Sequence, residues 1–146
     1  MSRRHTHASH PDSFGLEFTA FCETYRDAYL RYALVRIEDQ AEAKRCVDTV
    51  LDAVGMRWIA VLASACPAAQ VWRELRSEAR HRAIGAASRA GRFHAVLRDD
   101  QADILLLHRR LSLPVERAAG LMGLAGPDAR ALLRGAEREF GGLLDS

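Results

Sequence analysis

The strictest limit on the fold of this chain comes from an apolar stripe: Cys46, Val47, Val50, Leu51, Val54, Trp58, Val61 and Leu62. Its steps of three and four residues match the turn of an α-helix and set these side chains along one face. A strand needs alternation of period two, and no stretch of the chain shows it. A helix with one apolar side must be covered by other elements, and the sequence supplies further helices to do so. Phe18, Phe21, Cys22, Tyr25, Tyr29 and Tyr32 form a second stripe, and Val71, Trp72, Leu75, Ala79 and Ala83 a third. Ile104, Leu105, Leu107, Leu111 and Leu113 open a later apolar segment. The expected fold class is all-α.

Local signals place the boundaries. Ile37-Glu38-Asp39 breaks the first helical pattern, and Asp39 with Glu42 has capping-box spacing at the start of the next. Gly55 lies inside the clearest stripe at a cost of about 1 kcal/mol relative to alanine, so a bend or restart is expected there. Pro67 suits the first turn of a third helix. The run from Gly85 to Gly91 is small and weakly patterned. A chain of 146 residues has room for two small units. The expected division is a flexible tail at 1–13, a helical domain at 14–84, a linker at 85–98 and a helix-turn-helix domain at 99–146.

Composition excludes some classes of function and leaves others open. A hydrophobic fraction of 49% and a charged fraction of 27% are globular values, so wholesale disorder is not expected. Net charge is +2, carried by arginine apart from the single lysine, Lys44. Cys22, Cys46 and Cys66 lack the close pairing of a zinc or redox motif and are expected in or near the core. His5, His7 and His10 lie in the tail, while His81, His94 and His108 are dispersed beside arginines and are expected to be solvated. Glycine-rich phosphate loops, metal-ligand clusters and nucleophile signatures do not occur, so neither an enzyme nor a metal or cofactor is expected. The start has no apolar run of a signal peptide, and no segment reaches the roughly twenty apolar residues of a membrane span. A soluble, cytoplasmic protein is expected.

The most informative segment is Leu113 to Phe140. Pro114 opens one short helix running to Met122 and Pro127 opens another, with Gly123-Leu124-Ala125-Gly126 between them. Ala119 is small where two helices cross closely, and Gly123 suits the left-handed position after a helix. This is the pattern of a helix-turn-helix, whose second helix enters a DNA groove. There, Ala129, Leu132, Leu133 and Ala136 are expected to face inward, and Arg130, Arg134 and Arg138 outward toward phosphates or base edges. A second basic face, with Arg73, Arg76, Arg80 and Arg82, lines the helix that begins at Pro67. On spacing alone a helical hairpin with a solvated arginine face fits as well.

The stretch from Asp100 to Phe140 resembles region four of small RNA polymerase sigma factors of the extracytoplasmic-function type. Leu113 to Ala125 follows that family's run of leucine, serine, aromatic, two acids, Ile-Ala and Leu-Gly-Ile-Ser at most hydrophobic and small positions. Phe18 to Ala53 is similar to region two, through Phe21, Tyr25, Tyr32 and Asp48-Thr49-Val50-Leu51, and Val71-Trp72-Arg73-Glu74-Leu75 resembles its later part. The resemblance spans roughly residues 14 to 140. It implies a region-two-like domain followed by a region-four-like helix-turn-helix domain, acting at promoter DNA with core RNA polymerase and subject to an anti-sigma or other regulatory protein. It also implies DNA contact by Arg130, Arg134, Arg138, Arg73, Arg76 and Arg80, and polymerase contact by Glu42, Asp48, Leu51 and Asp52.

Several positions depart from the family. Lys44 stands for an acid, Val47 for a glutamine and Val54 for a tryptophan on the polymerase-docking helix. Ser64 to Ala69, at the place of the loop for a flipped promoter base, carries no aromatic or charged side chain, and Leu132 and Gly135 occupy customarily basic positions. Weak promoter opening and weak DNA binding are therefore expected. The alternative expectation is a degenerate sigma-like module that binds a protein partner and scarcely touches DNA.

Overall fold

The computed structural model describes residues 11–83 and 89–145, and every regular element among them is helical. We label them α1 (Pro11–Ile37), α2 (Gln40–Met56), α3 (Trp58–Leu62), α4 (Pro67–Arg82), α5 (Arg89–Val96), α6 (Asp99–Leu105), α7 (Val115–Met122) and α8 (Gly126–Asp145), with a π-turn at Leu106–Arg110 following α6. No described helix is long and apolar enough to cross a membrane. Residues His5, His7 and His10 lie outside the described residues. Part of the stretch expected as a linker is helical, as α5.

The stripes read from the sequence are the packing faces. Cys46, Val47, Val50, Leu51, Val54, Trp58 and Val61 are all buried, as are Val71, Trp72, Leu75 and Ala79 of α4. On α1 burial deepens toward the C-terminus: Phe18, Phe21, Cys22 and Tyr25 are half-buried, Tyr29 and Tyr32 wholly buried. Glu38 ends α1 in the left-handed region (φ 62°), and Asp39 then caps α2 by accepting the Glu42 amide at 2.9 Å. The reciprocal half of the expected capping box does not form. The Glu42 carboxylate turns instead to Arg45 and Arg82, whose guanidinium charges outbid one backbone amide.

The interruption expected at Gly55 falls two residues later, at Arg57, where α2 stops and α3 begins. Gly55 has a different use. A Cβ there would lie 2.8 Å from the Phe18 ring, so its absence lets α1 and α2 approach. Phe18 and Phe21 both pack on Trp58, at ring-centroid distances of 5.2 and 5.3 Å.

The centre of the molecule is α6. Gln101 to Leu107 are buried without exception. Seven consecutive residues at 100° steps go around a helix almost twice, so this element is enclosed on all sides rather than half-covered. It touches α5, α7 and α8, and through Asp103 it is hydrogen-bonded to α1 and α4. One apolar cluster runs from Ala28 to Ala136 through all of these helices.

Candidate nucleic-acid interface

The pair α7–α8 is joined by a tight turn. Gly123 adopts φ 74°, in the region open to glycine at low cost, and the Leu124 amide donates back to Ala119 O at 2.9 Å. Ala118, Ala119, Leu121 and Met122 face the core from α7, and Ala129, Leu133 and Ala136 from α8, with Leu132 half-buried. Arg130, Arg134 and Arg138 are exposed. Arg134 and Arg138 have no carboxylate partner among the described residues. Arg130 makes one long contact to Glu116 of α7 at 3.4 Å, and its guanidinium lies against Gly126 in the first turn of α8.

The second basic face is organised differently. Arg73 is exposed and unpaired among the described residues. Arg80 is hydrogen-bonded to Asp99 of α6. Arg76, expected on the outer face, is largely buried, and its Nε donates to Asp103 at 2.7 Å. The reason is a carboxylate within α6 that draws it inward. Arg82 is divided between Glu78 at 2.7 Å and Glu42 at 2.8 Å.

Asp103 is the polar centre of the protein. It is wholly buried and accepts from Tyr32 Oη at 2.6 Å, Trp72 Nε1 at 2.9 Å and Arg76 Nε at 2.7 Å, with His94 Nε2 at 2.7 Å. Arg36 in turn donates to Tyr32 Oη at 2.9 Å. Burial pushes the Asp103 carboxyl up, but the His94 hydrogen bond and the Arg76 charge outweigh it and hold the group below its usual range. Burial beside this carboxylate raises the Tyr32 phenol well above its ordinary value, so Tyr32 remains a donor. This cluster was not anticipated from sequence. The expectation of solvated histidines fails for His94, whose side chain is 7% exposed, and for His108, whose Nδ1 lies 3.0 Å from Leu113 O.

The residues expected to contact polymerase are spread unevenly. Asp52 is exposed. Asp48 is held by Lys44 and Arg26, each at 2.9 Å, and the hydrogen bond from Lys44 heads the causes that pull its carboxyl below the usual range. Glu42 is bound to Arg45 and Arg82 as described above. Leu51 is 1% exposed, so its side chain serves the core and offers no docking surface in this conformation.

The first turn of α4 is covered, whereas the loop before it is exposed at Ala65 and Cys66. A Cβ on Gly123 would lie within 2.6 Å of Ala69 Cα, so the α7–α8 turn rests on the first turn of α4 backbone to backbone. Cys66 Sγ is 3.6 Å from Gly123 O, yet the residue is exposed, contrary to the expectation of a core thiol, because it precedes α4 in a loop at the surface. Only Cys46 is fully buried among the cysteines, and burial pushes its thiol up to about 11. Comparison of the chain with protein-family models, curated proteins and solved structures returned no match.

Proposed function

We propose that this chain is a sigma-factor-like transcription protein that acts at promoter DNA and RNA polymerase, with α8 as its DNA-reading helix. The observation that carries the reading is the exposed arginine series of α8. Arg130, Arg134 and Arg138 recur at one-turn intervals, behind a glycine turn that fixes α8 against α7, and the last two have no carboxylate partner among the described residues. A helix presented in this way offers its N-terminal residues to base edges and later ones to phosphates. The residues that carry the resemblance over roughly 14 to 140 support the same reading. The protein acts without catalysing a reaction, in the cytoplasm.

The test is to mix the full chain with core RNA polymerase and a duplex promoter library. Co-elution with polymerase and selection of a DNA sequence support the reading. Failure to bind either component at low salt overturns it.

A second reading has its own observation. Glu42 and Asp48 are already engaged by Arg82, Arg45, Lys44 and Arg26, and the Ser64 to Ala69 loop is covered at Ala69 by the α7–α8 turn. A sigma-like module that binds a regulatory protein, with little contact to DNA or polymerase, accounts for both. Co-elution with another cellular protein, in place of polymerase, favours this alternative.

A further inference from the structure

The face of α4 that carries Arg73, Arg76 and Arg80 runs along one side of the helix, at steps of three and four residues. Two of these arginines are occupied by α6. Arg80 is hydrogen-bonded to Asp99, and Arg76 holds Asp103 through Nε while its Nη1 reaches Asp99 at 4.0 Å. The two carboxylates differ in how firmly they are held. Asp103 is wholly enclosed and receives donors from four side chains, whereas the Asp99 side chain is 38% exposed at the start of α6. A buried, fully bonded carboxylate does not exchange without unfolding its surroundings, but a half-exposed ion pair is weak and replaceable.

We infer that Asp99 is an internal stand-in for a nucleic-acid phosphate, holding Arg80 and the free edge of Arg76 in a self-occupied state. Asp103 anchors Arg76 throughout, and Asp99 is the exchangeable anion. When Asp99 rotates away, Arg80 and Arg76 Nη1 join Arg73, which has no partner among the described residues, in a continuous basic row. A phosphodiester takes the place of one carboxylate, so the exchange balances in charge and needs no opening of the core. The closed state lowers the apparent affinity for DNA by the fraction of molecules in which Asp99 is seated. This inference rests on the proposed DNA binding and adds its regulation by the chain itself.

The experiment is fluorescence anisotropy of a labelled duplex titrated with the full chain over a range of salt. The variants are Asp99→Asn, Arg80→Ala, their combination, and Glu23→Gln as a control for removal of one exposed negative charge elsewhere. Asp99→Ser, which keeps a helix-starting residue, replaces Asp99→Asn if that variant does not fold by circular dichroism. Asp99→Asn is expected to tighten binding roughly threefold to tenfold and to steepen the slope of log K against log salt by about one, the mark of an added phosphate contact. Arg80→Ala is expected to abolish that gain.

An Asp99→Asn gain no larger than that of Glu23→Gln, or one that survives in the Arg80→Ala background, overturns the inference. In that case loss of binding in Arg134→Ala still upholds DNA contact by α8. If the Asp99 gain depends on Arg80 while Arg130→Ala and Arg134→Ala change nothing, the inference stands and the α8 reading falls. If no variant binds at low salt, both fall.

Discussion

The indole N–H of Trp72 and the hydroxyl of Tyr32 donate to opposite oxygens of one carboxylate, that of Asp103, at 2.9 and 2.6 Å. Their rings also pack together, with centroids 4.6 Å apart. Three helices are thereby tied at one point that excludes water. An isolated buried carboxylate is prohibitively costly, so the site depends on its full set of donors. Removing any one leaves the buried carboxylate partly unsatisfied.

Asp103→Asn is expected to destabilise the protein by about 3–5 kcal/mol at neutral pH, because the Arg76 charge then loses its buried, closely bonded counter-ion and keeps only Asp99 at 4.0 Å. Urea unfolding followed by tryptophan fluorescence measures this directly. A loss under about 1 kcal/mol would mean that Arg76 moves readily to solvent, since exposed pairs contribute no more than that.

The same carboxylate sets an acid limb. Its folded pKa lies below the ordinary value, so its stabilising contribution is complete above the unfolded aspartate pKa of about 3.9 and is lost as pH falls through the folded value. Stability of the wild type should therefore decline below about pH 4. Asp103→Asn should show a shallower decline over the same window. Thermal melts at stepped pH provide the comparison.

Two buried tyrosines should respond in opposite ways. Tyr29 Oη has no hydrogen-bond partner among the described residues, whereas Tyr32 Oη joins Asp103 and Arg36. Tyr29→Phe removes an unsatisfied polar atom and should be neutral or stabilising, while Tyr32→Phe should cost about 1–3 kcal/mol. Denaturant midpoints of the two variants decide the matter.

On α8, Arg130→Ala is expected to weaken DNA binding by about 1–3 kcal/mol and to relax sequence preference, given its place at the start of the helix. Arg134→Ala should weaken all sequences alike and reduce the salt slope by about one unit. Equal behaviour of the two variants across a set of duplexes would remove the distinction between base and phosphate contact.

The helical faces were legible because apolar periodicity is a local signal: Val50, Leu51, Val54 and Val71 are buried where their spacing puts them. The turn at Gly123 was legible for the same reason, since a left-handed residue after a helix favours glycine. Asp103 was not. Its donors come from Tyr32, Trp72, Arg76 and His94, and no spacing rule brings such distant positions together. One hint stood in the sequence, an acid embedded in the apolar run Ala102-Asp103-Ile104-Leu105. An ionised residue on an otherwise apolar helix calls for a buried partner. The misplaced break at Gly55 has a comparable cause: propensity disfavours glycine in a helix, but the Phe18 ring occupies the space that a side chain would need.

The enclosed position of α6 also bears on the order in which the chain comes together during synthesis. Translation delivers α1 to α4 first, and until residue 103 emerges, the Tyr32 hydroxyl, the Trp72 indole and the Arg76 guanidinium have no carboxylate to close on. The later helices, α5 to α8, therefore contain the piece around which α1 to α4 settle. A nascent chain arrested before α6 should remain open to proteases, and one with α8 clear of the ribosome should not. The timing of protection is written into the position of a single aspartate.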